Sequence, residues 1–364
     1  RLAHLPEVVW VGRAVKLALV ALVLVMAFTQ GARQLNLLGS VTAVYAVVAV
    51  SLVVLTGWTG QISLGQFAIA GVGAVVAGHL LAERGADVFV AMVAAAAAGA
   101  GVALVVGLPA LRIRGLFLAV TTLALAVPMS SYFLNPTYFA DQIPQDVDRP
   151  LLLERFSLAE ERNLFLFCAA MLAIVLLVVR NIRASRTGRV LVAARDNELA
   201  VQARGVSLAR ARLLGFVVSG ALAGLGGALH VVVLQGVRFG TYSPGLSFEA
   251  FTMVVVGGLT SVTGAVLGAV ALRWAEYFLS GAVQLLVTGT GVLLLLLVLP
   301  GGLGQVIIRT RQRYLQWVAR RHGIEIASLG MRGEEDEFDA RQLEGLFSQP
   351  ASEQDREDQE LVRR

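Results

Sequence analysis

Long apolar segments follow one another along most of this chain, separated by short polar stretches. The sequence predicts such segments at 17–28, 35–55, 64–82, 88–111, 116–134, 164–179, 213–234, 251–272 and 282–299. A helix of about 20 apolar residues spans the hydrocarbon core of a bilayer. Because most of these segments are closely spaced, they leave little room for soluble domains between them. The chain is therefore predicted to be a polytopic membrane protein.

Composition favours helices over a β-barrel as the spanning structure. The 364 residues are 57% hydrophobic and 15% charged, whereas charged residues make up about a quarter of a soluble protein. Aromatic residues reach only 7% while glycine occurs 38 times, which suits closely packed membrane helices better than a barrel with aromatic girdles. We predict an all-α transmembrane bundle of about eight to ten spans. The single cysteine, Cys168, excludes a disulfide framework.

The positions of the charges indicate topology rather than a nucleic-acid partner. Although the net charge is +5, the last forty residues carry 12 acidic and 5 basic side chains, so the excess of arginine lies in loops beside the apolar segments. Residues 180–212 contain eight arginines, and the positive-inside rule places such a loop in the cytoplasm. The acidic, proline-containing loop at 135–163 is then external, and both termini are predicted to be cytoplasmic.

The eighth apolar segment is predicted to be a re-entrant pair of short helices. If residues 251–272 crossed the membrane once, the basic stretch 309–321 would lie outside, against the positive-inside rule. A break at Gly257, Gly258, Thr260–Thr263 and Gly264 resolves this conflict, because broken helices are tolerated at membrane depth where protein buries them. We expect an N-terminal span and flank at 1–34, a transmembrane domain at 35–305, a juxtamembrane basic helix at 306–324 and a disordered acidic tail at 325–364.

The arginine-rich loop, residues 180–212, is longer than a connection between two spans needs to be. Asp196 is predicted to begin a short helix as its N-cap, and Gly205 is predicted to end it. Ser207 then caps the helix that becomes the next span. The pattern favours a surface helix on which a partner docks, and the alternative is a connector whose arginines only orient the chain.

Small and polar residues inside the apolar segments suggest two further roles. A seam of small residues along 213–234 predicts close helix packing, and its members are Gly215, Ser219, Gly220, Ala223, Gly224 and Gly227. Buried amides near membrane depth need partners, so the stretch containing Gly60, Gln61, Ser63, Gly65 and Gln66 either lines a solute path or forms a buried structural turn. Glu249 either gates that path or is simply solvated at the membrane interface.

The sequence lacks the motifs of an enzyme. Lys16 is the only lysine and follows no glycine-rich turn, so the chain has no Walker A motif and cannot be its own ATPase. It has no nucleophile elbow and no His-Glu-x-x-His pair, and its four histidines are scattered. We therefore expect no catalytic residue, no bound metal and no cofactor on this chain.

Three blocks of sequence resemble one family of transporters. They are Gly-Trp-Thr-Gly-Gln-Ile-Ser-Leu-Gly-Gln at 57–66, the basic turn at 111–123, and Gly-Arg-Val through Ala-Arg-Asp-Asn-Glu at 188–198 with the apolar run 216–229. Together with the glycine-rich stretch 257–268, these blocks are similar to the membrane subunits of branched-chain amino acid ABC importers. The resemblance covers roughly residues 35–305.

The resemblance implies a permease subunit of the inner membrane that works in a larger complex. Its partners would be a second homologous permease, two ATPase subunits that bind ATP and Mg²⁺, membrane lipid and an external solute-binding protein. The loop would insert into a groove on an ATPase, and the residues implied in this coupling are Arg189, Ala194, Arg195, Asp196, Asn197, Glu198, Ala200 and Gly205. Polar contacts by Asp196, Glu198 and the neighbouring arginines are expected there.

The solute stays open at this point. Relatives usually carry a glycine-rich turn where this chain reads Phe-Ala-Asp-Gln-Ile-Pro at 139–144, in the loop expected to face the binding protein. Branched-chain or related amino acids are the first expectation, and urea, short amides or another small polar solute are the alternative. An ion-coupled carrier is a more remote alternative. Such a carrier predicts inverted repeats with charged residues at the midplane, and the first seven predicted spans contain no acidic residue within the membrane.

Overall fold

The computed structural model describes residues 17–18, 21–29, 33–113, 115–135, 137–139, 142–152, 156–238, 240–279, 297 and 301–321. Its elements in chain order are α1 (Arg33–Leu52, continued by a π-helical turn at Val53–Trp58), α2 (Gln66–Ala82), α3 (Val88–Ala110), α4 (Leu116–Pro128, continued by a π-helical turn at Met129–Phe133), β1 (Leu151–Leu152), β2 (Phe156–Ser157), α5 (Glu161–Ala184), α6 (Arg186–Asp196), α7 (Glu198–Ala203), α8 (Leu208–Leu234), α9 (Pro244–Gly257), α10 (Val262–Phe278) and α11 (Gly302–Arg321). Residues 21–28 are also helical.

The fold is a bundle of apolar helices, as the sequence predicts. Within the part of the chain that the structure describes, four helices are long and apolar enough to cross a membrane: α1 with its π-helical turn, α3, α5 and α8. The helices at Gln66–Ala82 and Phe117–Phe133 are apolar but shorter. The only sheet in the described part of the chain is one antiparallel pair, β1 with β2, inside the loop predicted to be external.

Helices α1 and α8 form the centre of the bundle. Most of the side chains of α1 from Ala43 to Leu55 are less than 5% exposed, so this helix is covered on all sides. By contrast α3 and α5 leave large apolar side chains such as Val93 and Leu177 exposed. An apolar helix with an exposed apolar face is the pattern expected next to lipid.

Glycine residues let α8 approach its neighbours at backbone distance. A Cβ atom on Gly220 or Gly224 would overlap the carbonyl oxygens of Gly99 and Ala95 in α3, respectively, and one on Gly227 would overlap the carbonyl oxygen of Ala70 in α2. Small residues permit such close approach between membrane helices.

The predicted break in the eighth segment is confirmed. Helix α9 ends at Gly257, α10 begins at Val262, and the two axes are bent by 119°. Gly258 adopts a φ of +110°, a conformation that residues with a Cβ atom rarely adopt. Ser261 starts α10 because its hydroxyl accepts a hydrogen bond from the Gly264 amide at 3.0 Å. The turn between α9 and α10, the re-entrant pair, therefore depends on local sequence.

Several predicted segments lie wholly or partly outside the described residues. The last predicted span, 282–299, is described only at Leu297, and the acidic tail at 325–364 is not described. Helix α11, Gly302–Arg321, falls where the juxtamembrane basic helix is predicted and begins a few residues earlier. Within α11 the rings of Tyr314 and Trp317 stack at a centroid distance of 6.3 Å.

Candidate functional site

The arginine-rich loop folds into two short helices rather than one. The Ser185 hydroxyl accepts a hydrogen bond from the Gly188 amide at 3.3 Å and starts α6, which continues through Asp196. Asn197 then adopts an extended backbone, and its side-chain oxygen accepts from the Ala200 amide at 3.0 Å. The predicted N-cap, Asp196, is therefore wrong by one residue, because the preceding helix holds Asp196 in its last turn.

The end of the second helix follows the sequence prediction. Helix α7 stops at Ala203, and Gly205 has a φ of +77° that suits glycine. Ser207 occupies the N-cap position of α8 with an extended backbone, although its side chain makes no capping hydrogen bond. The loop is thus a pair of helices held between two turns, which gives it a defined surface.

Two arginines fasten this helix pair to the helix bundle. Arg195, in the last turn of α6, donates a hydrogen bond from Nη1 to the carbonyl oxygen of Gly57, and its side chain lies against Gly60. Glu198, at the start of α7, forms an ion pair with Arg212 near the start of α8. Arg195 and Glu198, for which contacts with an ATPase are predicted, therefore make contacts within their own chain.

A cavity lies between the helix pair and the bundle, with a volume of about 150 Å³. Its lining consists of Thr59, Gly60, Gln61, Ile113, Gly115, Leu118, Arg195, Glu198 and Arg212. Two residues predicted for a solute path, Gly60 and Gln61, and two predicted for coupling, Arg195 and Glu198, therefore line the same cavity. Because three charged side chains and a buried amide line it, the cavity is polar and can hold water or a small polar solute.

The outer surface of the helix pair is open. Leu199 on α7 is 78% exposed. Asp196 and Ala200 are also exposed, whereas Ala194 packs with Val201 and Leu208 underneath. A helix that presents an apolar side chain outward has a surface that can dock in the groove of a partner protein.

Arg189 is exposed, and its guanidinium donates a hydrogen bond at 2.8 Å to the Ala184 carbonyl oxygen. This contact lies at the end of α5 and joins α6 to the preceding helix. Arg189 thus connects the first helix of the arginine-rich loop to the end of α5.

The remaining path candidates near residue 60 lie in close helix contacts. The Gln66 side chain is fully buried and donates to the hydroxyls of Ser51 at 2.9 Å and Ser219 at 2.8 Å. Ser63 is 2% exposed, and a Cβ atom on Gly65 would lie 2.7 Å from the carbonyl oxygen of Thr122. Gln66 and Gly65 thus contact α1, α8 and α4, whereas the Ser63 hydroxyl accepts a hydrogen bond from the Gly65 amide at 3.4 Å. None of the three residues lines the cavity beside Gly60.

Glu249 lies in an ionic cluster inside the bundle. Arg273 Nη1 is 2.8 Å from Glu249 Oε1 and 2.8 Å from Glu276 Oε2, and the guanidinium carbon lies 4.3 Å from the Tyr45 ring centroid. The sequence reasoning missed Arg273 as the partner of Glu249. Arg273 and Glu276 are three positions apart, a spacing that places them on one face of a helix. This spacing could have drawn attention to Arg273 as part of an ionic cluster.

Most of this chain matches one known protein family. A family described as "Branched-chain amino acid transport system / permease component" matches residues 35–300. The chain belongs to this permease family. The match includes the turn at Gly57, the helix pair α6–α7 and the re-entrant pair, so the cavity and its anchors lie within the family region.

Three relatives of the permease are named as permease proteins of branched-chain amino acid transport systems. It is 27% identical over 259 residues to the high-affinity branched-chain amino acid transport system permease protein LivM of Escherichia coli K12, with 65% of this chain and 61% of LivM covered. It is 32% identical over 142 residues to LivH of Escherichia coli K12 (37% and 43% covered) and 35% over 98 residues to BraD of Pseudomonas aeruginosa PAO1 (26% and 30%). The chain thus spans about three fifths of the length of LivM. No solved structure matches it.

The family and the apolar helices together define the broad class of this protein. The match to a permease family and the several apolar helices show a multi-pass membrane protein. Among the residues that the structure describes, no group of three His, Cys, Asp or Glu side chains is arranged to hold a metal ion.

Proposed function

We propose that this chain is the permease subunit of an ATP-driven importer of branched-chain or related amino acids in the cytoplasmic membrane. The family match and the names of LivM, LivH and BraD support the transport system. The eight arginines at 180–212 support a cytoplasmic position for α6 and α7. With that loop inside, both termini are cytoplasmic and the loop at 135–163 is external.

The exposed Leu199 on the anchored helix pair is the observation that carries the proposal. A helix that is tied to the bundle at Arg195 and Glu198 and presents an exposed leucine outward suits the groove of a partner protein. The partner that such an importer needs is an ATPase, because this chain has no Walker A motif. ATP and Mg²⁺ would bind to that ATPase.

The other partners follow from the transport system. LivM and LivH are both permease proteins, and both resemble this chain, which supports pairing with a second homologous permease. Two ATPase subunits and an external solute-binding protein complete the proposed complex. ATP-driven closure of the ATPases would move α6 and α7, and the spans would then alternate between outward-open and inward-open arrangements.

Solute would leave toward the cytoplasm near the polar cavity beside Gly60 and Gln61. This cavity lies directly behind the proposed ATPase contact, so a movement of the helix pair would change its shape. The apolar, glycine-rich spans suit small zwitterions with apolar side chains. This chain would bind and release solute without forming a covalent bond to it.

Uptake into proteoliposomes tests the proposal with a matched pair of variants. Leu199→Asp places a charge in the proposed apolar contact and is expected to weaken ATPase binding by about 2 kcal/mol, or about thirtyfold. ATP-dependent leucine uptake and co-purification of the ATPase should both fall. Leu199→Met keeps an apolar side chain of similar volume and should behave like the wild type.

The same assay separates the alternatives. Normal co-purification and uptake with Leu199→Asp would contradict the docking proposal. ATP-dependent uptake of urea or short amides in place of leucine would reassign the solute. Uptake that needs an ion gradient and no ATP would show an ion-coupled carrier instead.

A further inference from the structure

Gly57 is in contact with both the arginine-rich loop and the re-entrant pair. It lies in the π-helical turn that ends α1, and its carbonyl oxygen accepts the hydrogen bond from Arg195. On its other side, the Leu259 carbonyl oxygen occupies the space that a Cβ atom on Gly57 would need. One residue without a side chain therefore separates α6 from the tip of the re-entrant pair, which we define as Gly257–Ser261.

Part of the tip is enclosed by neighbouring residues, because Gly257 and Gly258 are buried, whereas Leu259 and Thr260 are exposed. A Cβ atom on Gly258 would lie 2.7 Å from the Gly301 carbonyl oxygen, and one on Gly304 would lie 2.7 Å from the Ser261 hydroxyl. Contacts of this kind resist displacement, because close-packed protein transmits strain instead of compressing. A shift of Gly57 toward the Leu259 carbonyl oxygen would therefore push on the tip.

Three contacts connect the Arg195 side chain to its surroundings, although it is 36% exposed. Its Nη1 bonds to the Gly57 carbonyl oxygen, its Nε lies 3.7 Å from Asp196 Oδ1, and its aliphatic carbons lie against Gly60. A hydrogen bond from a charged guanidinium is stronger than one between neutral groups. Although the resemblance implies contacts between Arg195 and an ATPase, its side chain bonds to the bundle in this structure.

We propose that Arg195 is a positioning residue that transmits movement of α6 and α7 through Gly57 to the tip of the re-entrant pair. The re-entrant pair is then the part of the permease that the ATPases move most directly. Tilting of whole spans follows from that movement. This inference rests on the proposed function of the loop, and it adds the route inside the chain by which ATP hydrolysis reaches the transmembrane region.

The first test needs only the purified chain in lipid nanodiscs. Amide hydrogen exchange at the tip reports how tightly it is held. Arg195→Met removes the guanidinium while keeping an aliphatic side chain, and tip exchange should rise about tenfold. Arg195→Lys keeps a charged donor and should fall between Arg195→Met and the wild type. Arg210→Met removes an exposed arginine of the same loop and should leave tip exchange unchanged.

The second test uses the complete transporter in proteoliposomes. With Arg195→Met, solute transported per ATP hydrolysed should fall about fivefold or more while the ATPase still co-purifies, and Arg195→Lys should restore part of the ratio. Gly57→Ala, which forces Gly57 and Leu259 apart, should lower the same ratio. Gly101→Ala is its control, because a Cβ atom there meets nothing within 4 Å.

The two tests fail in different ways. Unchanged tip exchange in Arg195→Met would overturn the proposed link, whatever the transporter carries. Raised tip exchange with an unchanged transport ratio would overturn the role in transmission. If the wild-type complex showed no ATP-dependent uptake, the proposed function would fall and the transmission role with it, although raised tip exchange would still establish the contact.

Discussion

At the scale of single residues, Arg273 holds together two carboxylates that would otherwise repel each other. Two carboxylates, Glu249 and Glu276, share its Nη1 atom, and the Tyr45 ring covers its guanidinium. Removing one partner of a buried ion pair is costly, because the remaining charge has lost its compensation. Arg273 thus joins α9, α10 and α1 through one side chain.

We expect Arg273→Met to lower the free energy of unfolding by about 2 kcal/mol. This is below the value for fully buried pairs, because the three charged side chains are 22% to 24% exposed. Thermal unfolding of the detergent-solubilised protein measures the effect. Adding Glu249→Gln and Glu276→Gln removes the uncompensated charges and should recover most of the loss. A single variant as stable as the wild type would show that the cluster contributes nothing to stability.

Residues whose role depends on local sequence could be predicted, and residues whose role depends on distant partners could not. Gly205 ends its helix as expected because a positive φ suits glycine. The contact of Glu198 with an ATPase stays a prediction, whereas its ion pair with Arg212, fourteen positions away, was not predicted from the sequence. Arg195 likewise bonds to Gly57, which lies far away in sequence. Only the packing of the helices brings such partners together.

At the scale of elements, α8 determines how closely the helices approach. Its glycines meet the backbones of α2 and α3, and Ser219 binds the Gln66 amide from α2. Apolar segments and the break between α9 and α10 could be predicted from hydropathy, glycine and charge. The two π-helical turns and the split of the loop into α6 and α7 could not, because hydropathy and charge patterns do not record them.

Gly227→Ala tests this packing. The added methyl group would overlap the Ala70 carbonyl oxygen, and overpacking of this kind is expected to cost about 2 kcal/mol. The midpoint of thermal unfolding should fall accordingly. Gly101→Ala places the same methyl group in open space and should unfold at or slightly above the wild-type temperature, because alanine favours helix over glycine. Equal midpoints for both variants would contradict close packing at Gly227.

At the scale of the whole molecule, the charge distribution predicts a direction across the membrane. The loop between α2 and α3 and the loop containing α6 and α7 are predicted to lie on opposite sides. Arg84 in the first loop and Arg204 in the second are both exposed, whereas Cys168 is fully buried. The native chain therefore offers a low background for cysteine labelling.

Labelling of intact cells with a membrane-impermeant maleimide tests this direction. Arg84→Cys should react from outside, and Arg204→Cys should react only after the membrane is permeabilised. The reverse pattern would place the arginine-rich loop outside and would contradict its docking to a cytoplasmic ATPase. The wild type, with Cys168 alone, measures the background.

The re-entrant pair also constrains the order in which the chain can be made and inserted. Its halves, of 14 and 17 residues, are short, and their junction is tolerated in a bilayer only under a cover of protein. Part of that cover, Gly301 and Gly304, comes after the pair in the sequence. During synthesis the tip therefore cannot make all of its contacts until residue 304 has left the ribosome. The tip thus reaches its final structure late in biogenesis.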